Sequence, residues 1–218
     1  MAEIIVNGKP WHYEAKSFYN EEEVILNKED AKYLLHNIKK VFDRHGLKFL
    51  LNYGTLLGAV REGDFIGHDY DMDIAIFEKD RELLISLIPE LDDLGIIFCR
   101  HSKYLIFSFY YKGAMCDVDI ICNARWPLSY RYYCTLGLYH PKFYVNKSQK
   151  LLFMGEEYDV PLNPERYITY LYGKNWRTPQ KGKSARVQSK ALIHINAYRF
   201  VKRCISYIKR HFFGINCK

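Results

Sequence analysis

Between Gly67 and Ile76 the chain reads Gly-His-Asp-Tyr-Asp-Met-Asp-Ile-Ala-Ile, and no other stretch restricts its fold as tightly. Side chains along a strand repeat every second residue, so Asp69, Asp71 and Asp73 would share one face. Carboxylates so placed repel one another when they are partly desolvated and unpaired. Ile74 to Phe77 are apolar, so the segment carries its acids at one end and enters a core at the other. A second acidic strand follows at Cys116-Asp117-Val118-Asp119-Ile120-Ile121, again with two carboxylates on one face. Aspartate is depleted in strand interiors, so five of them on two apolar strands make an odd solvent face. A hard divalent cation resolves the repulsion, because Mg2+ and Mn2+ take carboxylate, water and phosphate oxygens. We therefore expect a metal site in which Asp71 and Asp73 are joined by Asp119 or Asp117 from a neighbouring strand. Such a site clamps the phosphates of a donor and activates a hydroxyl.

Upstream, Tyr53-Gly54-Thr55-Leu56-Leu57-Gly58-Ala59-Val60-Arg61 links an apolar run, Lys48 to Asn52, to the acidic segment. Amides at a helix N-terminus together with a hydroxyl form a small phosphate-binding device, which places Gly54 and Thr55 among the substrate contacts. Arg61 either holds a phosphate through its paired N–H groups or pairs with Asp64 or Glu62. His68 either touches phosphate or metal or stands in solvent, and Asp69 is the outer member of the triplet.

The periodicity around these motifs sets the fold class. Apolar positions at Ala31, Leu34, Leu35, Ile38, Val41 and Phe42 predict a helix over 28–46, capped by Asn27 and stopped by Gly46. A second helical pattern covers 79–94, and strands are expected at Ile96–Arg100, Tyr104–Tyr111 and Met115–Cys122. This order of helices and strands indicates an α/β (α+β) domain, a mixed sheet flanked by helices. Residues 125–180 read as irregular segments with short helices, one near Pro164–Tyr172. We expect a catalytic domain over 1–180 and a helical C-terminal extension over 181–218.

Charge divides the chain. All 25 Asp and Glu lie before Arg166, whereas Arg166 to Lys218 holds 13 Lys and Arg and no acid. Val187, Ala191, Ile195, Tyr198, Val201, Ile205, Ile208 and Phe212 form one apolar stripe along a helix expected over 185–213, with basic residues between them. A basic amphipathic helix of this kind either lies on an anionic membrane surface or packs on the catalytic domain. No nucleic-acid module is visible and the acid-bearing part is net negative, which disfavours a nucleic-acid partner. No run approaches the length of a membrane-spanning helix, and the opening residues lack a signal-peptide pattern. None of the six cysteines are paired at the two-residue spacing of zinc or redox motifs, so we expect free thiols and a cytoplasmic protein, at the inner face of the membrane if the basic helix docks there.

Taken together, Gly-Thr-Leu-Leu-Gly-Ala-Val-Arg followed by Asp-Tyr-Asp-Met-Asp-Ile resembles the core motif of the LicD / fukutin-related family, within the nucleotidyltransferase-like superfamily. Val118-Asp119-Ile120 is similar to the family's third-carboxylate strand, and Pro161 to Tyr172, with Gly173, Trp176 and Pro179, to its C-terminal signature. Gly67-His68 stands where many relatives have Pro-Trp. The resemblance implies a nucleotidyltransferase-like fold, and transfer of phosphocholine or a similar alcohol or alditol phosphate from a CDP-linked donor to a hydroxyl of a glycan or lipid-linked glycan, with CMP released. It makes Asp71 and Asp73 ligands of Mg2+ or Mn2+, and Asp119 the third carboxylate or the base. The alternative is a nucleotidyltransferase that places NMP on a small molecule, protein or RNA end and releases pyrophosphate. A third reading, a non-catalytic module docking through its basic helix, sits poorly with the intact acids.

Overall fold

The structure is a computed structural model, described for residues 1–15, 25–102, 106–123, 131–133 and 139–179. The expected extension over 181–218, with its basic helix over 185–213, lies outside the described residues.

The chain opens with a hairpin of β1 (Ala2–Val6) and β2 (Lys9–Tyr13), turned at Asn7 and Gly8 with φ of 50° and 76°. Positive φ at both turn residues matches the twist of the flanking strands, which is why Asn-Gly is favoured there. Next comes α1 (Lys28–Arg44), where the Asn27 side chain accepts from the amides of Glu29 and Asp30 at 3.0 and 3.1 Å. All six apolar positions expected to face the core are buried.

The apolar run after α1 yields only a short strand, β3 (Leu50–Leu51), before α2 (Tyr53–Arg61) and β4 (Met72–Phe77). The helix expected over 79–94 is broken into a 3-10 turn, α3 (Arg81–Ser86) and α4 (Ile88–Asp92). Pro89 has no amide to donate and its ring crowds the preceding turn, so it is accommodated in the first turn of a new helix. Three strands follow at the expected places: β5 (Ile97–Ser102), β6 (Ile106–Tyr111) and β7 (Ala114–Asn123). Beyond them lie β8 (Arg131–Tyr133), β9 (Tyr139–Pro141) and α5 (Lys142–Val145). A hairpin, β10 (Ser148–Phe153) with β11 (Glu156–Pro161), then precedes α6 (Pro164–Tyr172). The last third is thus more regular than its composition suggests: α6 stands where a helix was expected, and the hairpin was not foreseen.

The main sheet runs in the order β3-β4-β7-β6-β5, with β8 continuing from β7 and β9 from β8. Within it β4 and β7 are parallel, and the remaining neighbours are antiparallel. In the parallel pair Asp73 faces Asp117, Ala75 faces Asp119, and Phe77 faces Ile121. Met72, Ile74 and Ile76, with Cys116, Val118 and Ile120 across from them, are wholly buried in one core with the apolar stripe of α1. By alternation, the acids occupy the opposite face. The sequence therefore yields the expected mixed sheet flanked by helices, with two acidic strands side by side at its centre.

Candidate active site

Strand β4 begins at Met72, so Asp73 alone of the triplet lies within it. Asp71 stands just before the strand and Asp69 in the turn ahead of it, which corrects the expectation of three acids on one strand face. The turn nevertheless folds Asp69 back toward Asp73. A Cβ added to Gly54 would lie 2.5 Å from Asp69 Oδ2 and 3.3 Å from Asp73 Oδ2, so both carboxylates converge on this glycine. No side chain fits between them. Gly58, one turn later, is equally confined, since a Cβ there would meet the Asp64 carbonyl at 2.5 Å.

Asp73 is held from three directions by the segment entering α2. Gly54 N–H donates to its Oδ2 at 3.0 Å, Thr55 Oγ1 accepts from its amide at 2.8 Å, and its carbonyl accepts from Asn52 N–H at 3.0 Å. Gly54 and Thr55, expected to cradle phosphate, thus orient the acid-bearing strand here. Tyr53, between Asn52 and Gly54, has φ of 36°, a conformation that costs a non-glycine residue. A buried network anchors this bend: Tyr53 Oη lies 3.1 Å from His140 Nε2, and Tyr167 Oη reaches His140 Nδ1 and also donates to Asn52 Oδ1 at 3.2 Å. Burial pushes His140 down to about 4, so its ring is neutral in ordinary buffers.

The acids raise one another. Asp71 is pushed up to about 7, chiefly by burial and then by Asp117 and Asp69, with Arg100 opposing. Asp73 stands well above the usual carboxylate range through burial and the charges of Asp71, Asp119, Asp117 and Asp69. Asp69 is raised by burial. Burial also raises Asp117, but Arg100 and Ser108 work against it. Ser108 Oγ donates to Asp117 Oδ1 at 2.6 Å, Arg100 Nη2 donates to Oδ2 at 2.5 Å, and Arg100 Nε donates to Ser108 Oγ at 2.8 Å. Both oxygens of Asp117 are therefore committed within the sheet. Asp119, two residues on, is 3% exposed, and its charge reaches Asp73. Among the described residues, no three His, Cys, Asp or Glu side chains close around one point as metal ligands do.

The flanking candidates divide. Arg61 pairs with Glu62 through Nε and Nη2 and donates from Nη1 to the Trp176 carbonyl at 3.2 Å, one of the two roles expected of it. Its charge still reaches Asp69. His68 is exposed beside Asp69. Sequence reasoning missed Arg100, and it missed Tyr172 at the end of α6, whose phenol is raised by burial and by Asp73, Asp69 and Asp71. An arginine directly after the apolar run Ile96 to Cys99 was the available signal for the first. Nothing local marked the second.

The LicD/FKTN/FKRP nucleotidyltransferase domain matches residues 46–163, which include every acid of the cluster. The chain belongs to this family. Ribitol-5-phosphate transferase FKTN of Homo sapiens is 26% identical over 190 residues, which is 77% of this chain and 39% of that protein. The Rickettsia prowazekii protein RP689 is 34% identical over 92 residues, 42% of this chain and 33% of its own length. Human ribitol 5-phosphate transferase FKRP is 40% identical over 53 residues, 24% of this chain and 10% of that one. This LicD/FKTN/FKRP member thus spans well under half the length of these relatives. The solution structure of the antibiotic-resistance factor ANT(2'')-Ia matches 85% of this chain and 100% of its own, with a TM-score of 0.51 at 15% identity, a likeness of fold. No helix among the described residues is long and apolar enough to cross a membrane.

Proposed function

We propose that the chain transfers a substituted phosphate, such as phosphocholine or an alditol phosphate, from a CDP-activated donor to a glycan hydroxyl. Family membership supports the reading, as do the names of FKTN and FKRP as ribitol-5-phosphate transferases. One observation carries it above the others: Asp69 and Asp73 converge on Gly54, the only residue type that leaves both carboxylates room, with Asp71 and Asp119 in electrostatic reach.

Asp71, Asp73 and Asp119 are the residues that would hold Mg2+ or Mn2+. The donor set fits such an ion because it offers only carboxylate oxygens whose proton affinities are raised by mutual repulsion, which a dication relieves. When bound, the cation stabilises charge on the bridging and leaving oxygens of the donor. Gly54 and Thr55 fix Asp73, the point on which Asp71 and Asp119 would close when the ion loads. Arg100 and Ser108 hold Asp117 in place and limit the total negative charge on β7. The acceptor oxygen attacks the phosphorus that carries the transferred group, the bond from that phosphorus to the CMP oxygen breaks, and Asp119 takes the acceptor proton.

The test is incubation of the full chain with CDP-ribitol and CDP-choline in Mn2+, with CMP followed by chromatography. CMP release by wild type and its loss in Asp73→Asn support the proposal. Absence of CMP from both donors refutes it, and pyrophosphate release from nucleoside triphosphates would replace it with nucleotidyl transfer.

A further inference from the structure

The acidic face of the parallel pair does not end at its acids. Alternation places Asp73, Ala75 and Phe77 of β4 on one side, with Asp117, Asp119 and Ile121 of β7 in register beside them. Along this face the chemistry changes within a few residues, from carboxylates at the start of β4 to an aromatic ring and a branched alkyl group at its end. At that end lies a cavity of about 490 Å³, lined among the described residues by Phe77, Glu78, Lys79, Ile121, Asn123 and Asn146. This volume falls in the range of small-molecule sites.

We infer that this cavity is the subsite for the acceptor, a neutral, hydroxyl-rich molecule such as a sugar or alditol unit. The ligand class rests on the transfer reading; the site itself rests on its lining. Three features select such a ligand. Phe77, half-buried, offers an apolar surface suited to the C–H face of a pyranose ring, with the buried Ile121 beside it in register. Asn123 and Asn146 bring amides that both donate and accept, as hydroxyl groups require. Glu78 and Lys79 cancel in charge, so the lining among the described residues carries no net charge. Position supplies the fourth argument. Ile121 is two residues beyond Asp119 on the same face, about 6.6 Å at the usual rise per strand residue. A ring seated on Phe77 therefore lies one residue pair along the same face from the carboxylate proposed to take its proton.

The test is ligand-observed saturation-transfer NMR on the full chain, with methyl glycosides of galactose, glucose and N-acetylglucosamine, free ribitol, and galactose 6-phosphate as the charged control. We expect saturation transfer to at least one neutral probe, weaker transfer to the phosphate, and at least a fivefold reduction in Phe77→Leu and Asn123→Ala. Phe77→Leu retains apolar bulk and Asn123 is exposed, so melting curves are expected to show both variants folded. Binding that survives both substitutions, preference for the phosphate, or no binding of any neutral probe overturns the assignment. The outcome separates from that of the transfer proposal. CMP release without variant-sensitive glycoside binding removes the subsite alone, and glycoside binding without CMP release removes the transfer reading alone.

Discussion

The acidic cluster carries a stability cost that one substitution exposes. In metal-free protein Asp71 holds its proton up to about pH 7, against an ordinary 3.8. At about 1.4 kcal/mol for each tenfold change in proton affinity, that rise amounts to about 4 kcal/mol. The sign follows from which state ionises first. At about pH 4 and below, Asp71 is protonated in both states and adds no penalty. Between about pH 4 and 7 the unfolded chain loses the proton while the folded chain keeps it, so folded stability falls by up to about 1.4 kcal/mol per pH unit. Above about pH 7 the loss is complete. Asp71→Asn removes the ionisation while preserving shape. It is therefore expected to match wild type near pH 4 and to exceed it by up to about 4 kcal/mol at pH 8, or roughly 8–16 °C in melting temperature for a chain of this length. Urea and thermal melts of both proteins in EDTA across this range check it; groups outside the acidic cluster cancel in the difference, and relief of Asp73 from the Asp71 charge adds to it in the same direction. Saturating Mn2+ is expected to narrow the gap by stabilising wild type, by about 2.7 kcal/mol at a hundredfold excess over Kd. A difference that stays flat from pH 4 to 8, or a variant less stable than wild type at pH 8, would show that Asp71 is not in the charge-crowded setting described.

Other substitutions probe the surroundings. Thr55→Val leaves the Asp73 amide without its acceptor in a half-buried place, so a loss of about 1–3 kcal/mol in urea unfolding is expected, with weaker Mn2+ affinity by calorimetry. Arg100→Met strands the buried Asp117 charge and is expected to cost about 3–5 kcal/mol at pH 8; adding Asp117→Asn restores most of it, and a double variant as unstable as the single one contradicts the pairing. His140, lowered to about 4 by burial, favours folding fully above about pH 6.5 and progressively less as pH falls toward 4, because the unfolded chain takes the proton first. His140→Gln is expected to lessen the acid sensitivity of thermal unfolding between those limits.

Much of the fold was legible because its signals are local. Asn27 with the stripe from Ala31 to Phe42 specifies α1 without help from the rest of the chain. The acids of β4 and β7 were readable because charge among apolar strand residues needs a compensating reason. Legibility failed where longer-range effects decided the outcome. Pro89 splits a helix whose apolar spacing runs straight through it. The β10-β11 hairpin turns at Met154 and Gly155, with φ of 51° and 89°, but its strands alternate weakly, with Gln149 and Lys150 exposed in succession. Asn7-Gly8 was a readable turn signal for the first hairpin and went unused. At the site, Asp69, Asp71 and Asp73 were found as a group, but the placement of Asp69 in a turn rather than on the strand depends on Gly54 admitting it, a tertiary contact.

The choice between Asp117 and Asp119 shows what coordinates add to pattern. By alternation the two are equivalent, and register makes Asp117 the direct neighbour of Asp73. Proximity alone would therefore favour Asp117 as the third carboxylate. Its oxygens, however, are both occupied by Ser108 and Arg100, reached from the adjoining strands β6 and β5. A carboxylate already neutralised by a guanidinium gains less from a cation and loses a charge-assisted hydrogen bond in taking one. Arg100 thus lowers the charge that Asp117 brings to the cluster, which favours Asp119 in the proposed role of β7 partner to Asp71 and Asp73. Asp119 pairs in register with Ala75, and one residue pair further along the same face come Phe77 and Ile121 at the cavity. Under the transfer proposal, this position suits Asp119 to stand as the third carboxylate and to take the acceptor's proton.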